Sequence, residues 1–435
     1  MAGTIAQFFA LAERGSTVRT ELTAGLTTYL TMAYIVAVNP VILGAAGMPP
    51  AGVAAATCLA AGLASILMGL WANVPLALAP GMGLNAYFAY VVVLGGHVPW
   101  PAALAAVFIA GLAFLVLTLT GLRQALVAAL PPHLNSAVAG GIGLFIGLIG
   151  LKNAGLVVAS PATMVALGPL ASPAPLLALA GLLLTTVLIG WRVRGAMLLG
   201  IAATTLAAAL AGQIHASPQP YSLSALTSTA LRIDFAGFLK VPGAAGIVLT
   251  FLFVALFDNL GTLVAVLRRA GLAQGNVQPA GLNRILMADA VAGMGGAMLG
   301  TSTVTSYIES AAGVEAGGRT GLTAITTGLL FLATALVAPW AQLVPAAATA
   351  PALVLVGAMM LAPLAEVAWT DPLEALPAFL TVALIPFTFS IATGLAFGIA
   401  AHALLKLARG RLERGDGLLL ALAMLIVWQL ARGAA

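Results

Sequence analysis

The stretch Thr301 to Gly321, "TSTVTSYIESAAGVEAGGRTG", sets Glu309 and Glu315 among small residues. Everything around it keeps charge away from the apolar runs. The 435-residue chain is 62% hydrophobic and 7% charged, with a mean hydropathy of +1.11, whereas a soluble domain carries about 25% charge. Apolar runs of helical length recur from Leu22 onward, matching a hydrocarbon core about 30 Å thick. A β-barrel would alternate in polarity, and these runs do not. The reading is an all-α polytopic membrane protein, and the carboxylates inside it call for a function.

Reading the runs as helices gives about fourteen transmembrane segments. With the N-terminus (1–21) in the cytoplasm, all the Lys and Arg residues except Lys152, Arg232 and Lys240 fall on the inner side, as the positive-inside rule requires. The N-terminal stretch lacks the pattern of a cleaved signal peptide. A polar loop, 213–245, separates seven segments (22–212) from seven more (246–408), and an odd number per half implies inverted repeats. The tail 409–435 contains an apolar run, 417–430, that would lie on the surface or cross as a further helix.

Sliding the chain by 230 residues sets "APGMGLN" (Ala79 to Asn85) against "ESAAGVE" (Glu309 to Glu315). Paired Gly- and Ala-rich interruptions in corresponding segments mark the central site of a transporter, where broken helices expose backbone N–H groups. Short extended breaks are therefore expected in segments 3 and 10, with Gly81, Gly83 and Gly313 shaping them. "GMGLNA" matches a dinucleotide fingerprint formally, but it lies within a membrane segment and is read as a helix break.

Asp258 and Glu309 each precede an arginine by ten residues, about 15 Å of helix, which puts both near the midplane. Asn85 reaches a similar level. Carboxylates at that depth should face a cavity. Glu315 reads as solvated or paired; Asp289, Glu366, Asp371 and Glu374 read as interfacial. The histidines show no metal-ligand spacing, and Cys58 reads as packing, so neither metal nor redox cofactor is expected. The net charge of +5 is scattered between helices and indicates membrane orientation, with no nucleic-acid partner.

Two acids, an amide and half-helix N-termini suit a small ligand that carries both donors and acceptors. A purine base fits: ring N–H groups meet a carboxylate, and O6 and ring nitrogens accept from backbone N–H or Asn85. Phe88, Phe257 or Tyr307 would supply a flat face. Burial favours the neutral form of a carboxylate, so proton uptake at Glu309 or Asp258 would couple to binding.

"RTELTAGLTTYLTMAYIVAVNPVIL", "APGMGLNAYFAY", "LFDNLGTLVAV" and "GTSTVTSYIESAAGVEAGGRTGLTA" resemble the AzgA-like guanine, hypoxanthine and adenine permeases of the nucleobase-cation symporters, the xanthine/uracil permease superfamily. The resemblance implies two inverted seven-helix repeats split into core and gate domains, elevator-like motion, and proton-coupled purine uptake across the inner (plasma) membrane. It assigns Asp258 and Glu309 to base recognition, Asn85 to a supporting contact and Tyr307 to an aromatic neighbour, with Thr262 one turn beyond Asp258. Gate-helix packing would support a homodimer. Many relatives carry "DLFDT" where this chain has Ala255 and Asn259 in place of the acid and the threonine. Competing readings are a uracil, xanthine or small-anion carrier of the same fold, an intramembrane enzyme, and a channel or scaffold. Two central acids disfavour an anion, and no nucleophile or cofactor motif accompanies them.

Overall fold

In a computed structural model, the structure describes residues 6–120, 131–214, 223–272 and 281–410. The chain runs α1 (Val18–Met32), α2 (Ile35–Ala45), α3 (Pro50–Trp71), β1 (Leu78–Pro80), α4 (Met82–Ala86), which continues as a π-helical stretch Tyr87–Gly95, then α5 (Trp100–Leu119) and α6 (Pro132–Asn153). A hairpin of β2 (Val157–Ser160) and β3 (Met164–Leu167) leads to α7 (Pro173–Gly190) and α8 (Ala196–Leu210). After two short helical turns come α9 (Ala244–Arg269), α10 (Leu282–Leu299), β4 (Val304–Ser306), α11 (Ser310–Glu315) and α12 (Gly321–Thr334). The chain continues through α13 (Ala346–Met359), α14 (Pro372–Thr388) and α15 (Ile391–Ala408). Among the described residues, seven helical stretches are long and apolar enough to cross a membrane, and five more are apolar but shorter.

Local chemistry sets the boundaries. Proline stands in the first turn of α3, α5, α6, α7 and α14, where its missing N–H costs no helical bond. Thr17, Thr320, Asp371 and Ser390 cap helices by accepting backbone N–H groups with their side chains, satisfying donors that lack a partner within the helix. Gly300, at φ +85°, ends α10 in a left-handed turn just before β4.

The helices pack in two sets. In one, α12 lies against α1 and α3, and α10 against α3 and α5. In the other, α13 and α14 lie against α6, α15 against α14, and α8 against α7. Each set mixes first-half and second-half elements. Gly62 and Gly69 of α3 face Gly328 and Gly321 of α12 so closely that a Cβ on Gly328 would stand 2.6 Å from the Gly62 carbonyl, the small-residue contact that brings membrane helices together. Gly143 meets Gly357 in the same way, and Gly394 and Gly398 pack against α14.

Several expectations shift. The first span, Val18–Ala45, is broken at Ala33 and Tyr34 into two helices. Its start at Val18 takes helix into the stretch read as an N-terminal tail, and Glu21 there is fully buried. Its carboxylate accepts from the backbone N–H of Arg319 (2.9 Å) and Thr320 (3.2 Å) and from Thr323 Oγ1 (2.5 Å), pinning α1 to the start of α12. The run 417–430 lies outside the described residues.

Candidate functional site

The two interruptions meet. β1 and β4 pair antiparallel, Leu78 opposite Ser306, Ala79 opposite Thr305 and Pro80 opposite Val304. Extended backbone inside a membrane core needs every polar group satisfied, and neighbouring residues supply this. Gly81 N–H donates to Thr303 O and Tyr307 N–H to Ala77 O, both at 3.0 Å. Ser65 Oγ accepts from Leu78 N–H (2.9 Å) and donates to Leu78 O (3.1 Å). Ser310 Oγ accepts from Ala77 N–H, and the Tyr307 hydroxyl donates to Pro80 O at 2.5 Å. Tyr307 thus bridges the two interruptions.

The expected breaks are present, but the 230-residue offset is not their register. The strands begin at Leu78 and Val304, 226 residues apart, and α4 and α11 begin 228 apart. Similar Gly and Ala composition over the whole stretch hid the slip. The glycines act through close approach. Gly81 has φ −72° and ψ 120°, open to any residue, whereas a Cβ on Gly83 would lie 2.8 Å from Ile142 and one on Gly313 2.8 Å from Ala24 O.

Glu309 stands at the start of α11, partly accessible. Tyr34, at the junction of α1 and α2 and fully buried, donates its hydroxyl to Glu309 Oε1 at 2.7 Å. One carboxylate oxygen is thereby held in place. The depth estimate for Glu309 changes, because α11 has six residues and the chain turns before Arg319. Continuous helix does run from Asp258 to Arg268 within α9; the side chains of Phe257 and Asp258 are outside those the structure describes. Thr262, on the next turn, is half-buried.

Asn85 is completely buried in α4. Its Nδ2 donates to Asn39 Oδ1 at 2.6 Å, and Asn39 donates in turn to Thr57 Oγ1 (2.8 Å) and Thr301 Oγ1 (2.9 Å). Asn85 Oδ1 has no partner. In this arrangement the amide offers an acceptor, where a donor to the base was expected. Phe88 is fully buried, so it backs the α4 side of the crossing and has no open face for stacking.

One acid departs from its expected place and another keeps to it. Asp289 is not interfacial: it lies mid-helix in α10, 4% exposed, accepting from Asn259 Nδ2 and from Ser306 Oγ at 3.2 Å. Its closeness to Arg284 in sequence suggested the surface, but α10 begins at Leu282 and carries it two turns inward. Glu315 is paired, with Arg269 Nη1 at 2.8 Å on an exposed face. Cys58 is buried packing. Among the described residues no three His, Cys, Asp or Glu side chains group as metal ligands.

Bundled membrane-length helices around two interrupted segments that cross through paired strands define a multi-pass membrane transporter. The chain belongs to the Permease family, whose model matches residues 19–397. It is 42% identical to the adenine permease AdeP of Escherichia coli (strain K12), over 98% of this chain and 95% of that one. It is 43% identical to the guanine/hypoxanthine permease PbuO of Bacillus subtilis (strain 168), over 97% and 99%. Among solved structures, the transmembrane domain of the cyanobacterium bicarbonate transporter BicA overlays with a TM-score of 0.66 at 18% identity, covering 87% of this chain and 97% of that one. That likeness concerns the fold alone. As a permease the protein is a transporter and not an enzyme.

Proposed function

We propose that this protein imports purine nucleobases, hypoxanthine, guanine and adenine, by proton symport. The observation that carries the reading is near full-length similarity to permeases named for adenine and for guanine/hypoxanthine, joined to a partly accessible carboxylate at the crossing of β1 and β4. Glu309, oriented by Tyr34, accepts ring N–H groups of the base. Asp258 and Thr262 act from α9, Asn85 supports the site from within its buried amide chain, and Tyr307 and Phe257 frame the ring while Phe88 supports the wall. Glu309 and Asp258 carry the coupled proton, since a buried carboxylate becomes affordable when it is neutral or paired.

The two packing sets support an elevator mechanism over fourteen segments in two inverted repeats, 22–212 and 246–408. The set containing the crossing is the core that carries substrate; the set of α6 to α8 and α13 to α15 is the gate, which also supplies the homodimer contact. The protein then lies in the inner (plasma) membrane with residues 1–21 cytoplasmic and 213–245 outside. The test is uptake of radiolabelled hypoxanthine into proteoliposomes with and without an inward proton gradient, competed by guanine, adenine, xanthine and uracil. Saturable, gradient-driven uptake blocked by guanine or adenine is expected. Competition by uracil or xanthine alone would assign another substrate, and indifference to the gradient would remove proton coupling.

A further inference from the structure

The stretch before α1 takes no part in the scheme above, yet it is built into the fold. Residues 6–16 form helical turns that bury Phe9 and Leu11, 5% and 3% exposed. Arg14, half-buried, donates from one guanidinium nitrogen, Nη1, to Asn73 O (2.6 Å) and to Arg319 O (3.1 Å). Asn73 stands between α3 and β1, on the approach to the first interruption; Arg319 stands between α11 and α12, just past the second. A single side chain thus joins the ends of both interrupted segments. Asn73 completes the knot, its Nδ2 donating to Phe9 O (3.3 Å) and its Oδ1 accepting from Gly321 N–H (2.8 Å). The carboxylates of Glu21 and Glu13 lie close enough to offset the charge of Arg14.

The geometry of α11 depends on this knot. Its six residues are fewer than a helix needs to persist alone. The turn that follows contains Gly317 and Gly318, with Gly317 at φ +103°, so backbone sterics do not set its course. Arg319 supplies a constraint: its Nη1 donates to Val314 O (2.7 Å) and Gly318 O (2.8 Å), tying the last turn of α11 to the chain beyond it. Arg14 in turn holds the Arg319 carbonyl. At the other end of α11 stands Glu309, bonded to Tyr34.

We propose that Arg14 is a positioning residue for base recognition: by clamping the turn after α11 to the approach to β1, it fixes the angle at which α11 presents Glu309. The inference rests on Glu309 receiving the base, as in the function proposed above. The clamp adds little to the stability of the whole, because α12 already packs against both α1 and α3 and Glu21 already pins α1 to α12. Its effect is local, on a short helix whose far end carries the carboxylate. Residues 6–16 therefore act as a strap over the ends of the two interrupted segments.

The test combines amide hydrogen exchange with calorimetry on the purified full-length protein. In Arg14→Ala, exchange at 310–318 without ligand should quicken on the order of tenfold, while α3 and α12 exchange as in wild type and Tm stays close to it. Hypoxanthine affinity should fall about tenfold. That loss should vanish in a Glu309→Gln background, which a general weakening of the fold would not produce. Should Arg14→Ala fail to fold, Arg14→Gln, which lacks the charge and the reach, decides alone. Unchanged exchange at 310–318, unchanged affinity, or an affinity loss of the same size in the Glu309→Gln background would overturn the positioning role. If wild type itself does not bind hypoxanthine, the substrate reading fails, and exchange alone decides whether Arg14 holds α11.

Discussion

The two interrupted segments have the same architecture and opposite chemistry. After β1 the chain enters α4 with Asn85 sealed in a chain of amides and hydroxyls that reaches Asn39, Thr57 and Thr301. After β4 it enters α11 with Glu309 partly accessible and held by the Tyr34 hydroxyl. The first segment ties its amide into the scaffold; the second, besides the scaffold bonds of Tyr307 and Ser310, leaves a carboxylate partly accessible. Under the proposed function, keeping broken helices stable in a membrane and recognising the base are thus separate tasks.

The sharpest way to break this comparison is to remove the presented group. Glu309→Ala should weaken hypoxanthine binding on the order of 100-fold, about 3 kcal/mol for lost hydrogen bonds to a charged acceptor. Its melting temperature should stay close to wild type. Next comes the scaffold: Asn39→Ala strands the Asn85 amide and leaves Thr57 and Thr301 without their donor. It should cost about 2 kcal/mol of stability, seen as a lower Tm, with a smaller effect on base affinity among molecules that remain folded. A larger effect on affinity than on stability would erase the division of labour.

Tyr34→Phe sharpens the claim that Glu309 is aimed. It removes one hydrogen bond to the carboxylate and should reduce affinity about tenfold, or ~1.4 kcal/mol, leaving uptake measurable. The smallest effect belongs to Arg269→Ala, which frees the exposed Glu315. An exposed ion pair contributes about 0 to 1 kcal/mol, so uptake kinetics should be unchanged and Tm nearly so.

Which features can be read from the sequence follows the same divide. Glu309 stands out because a carboxylate in an apolar, small-residue setting conflicts with its surroundings, and the Gly-rich breaks stand out because they interrupt helical runs. The register of the breaks does not, since nothing in the local composition distinguishes an offset of 226 from one of 230. Asn39 and Asn85 are 46 residues apart in an apolar chain, and only folding brings their amides together. Glu21 is hidden by its place near the N-terminus; its partners, at Arg319 to Thr323, are about three hundred residues away. Asp289 is hidden by Arg284, because the depth of an acid depends on where its helix starts. Local conflicts are visible in one dimension, whereas polar groups that have found distant partners are not.

The most direct test of the central claim is the affinity of purified, folded Glu309→Gln protein for hypoxanthine, measured by titration calorimetry beside wild type. This substitution retains size and hydrogen-bonding capacity while removing the carboxylate. The account predicts a loss of at least about tenfold with an unchanged melting temperature. Wild-type affinity in the folded variant would contradict it and place base recognition elsewhere in the molecule.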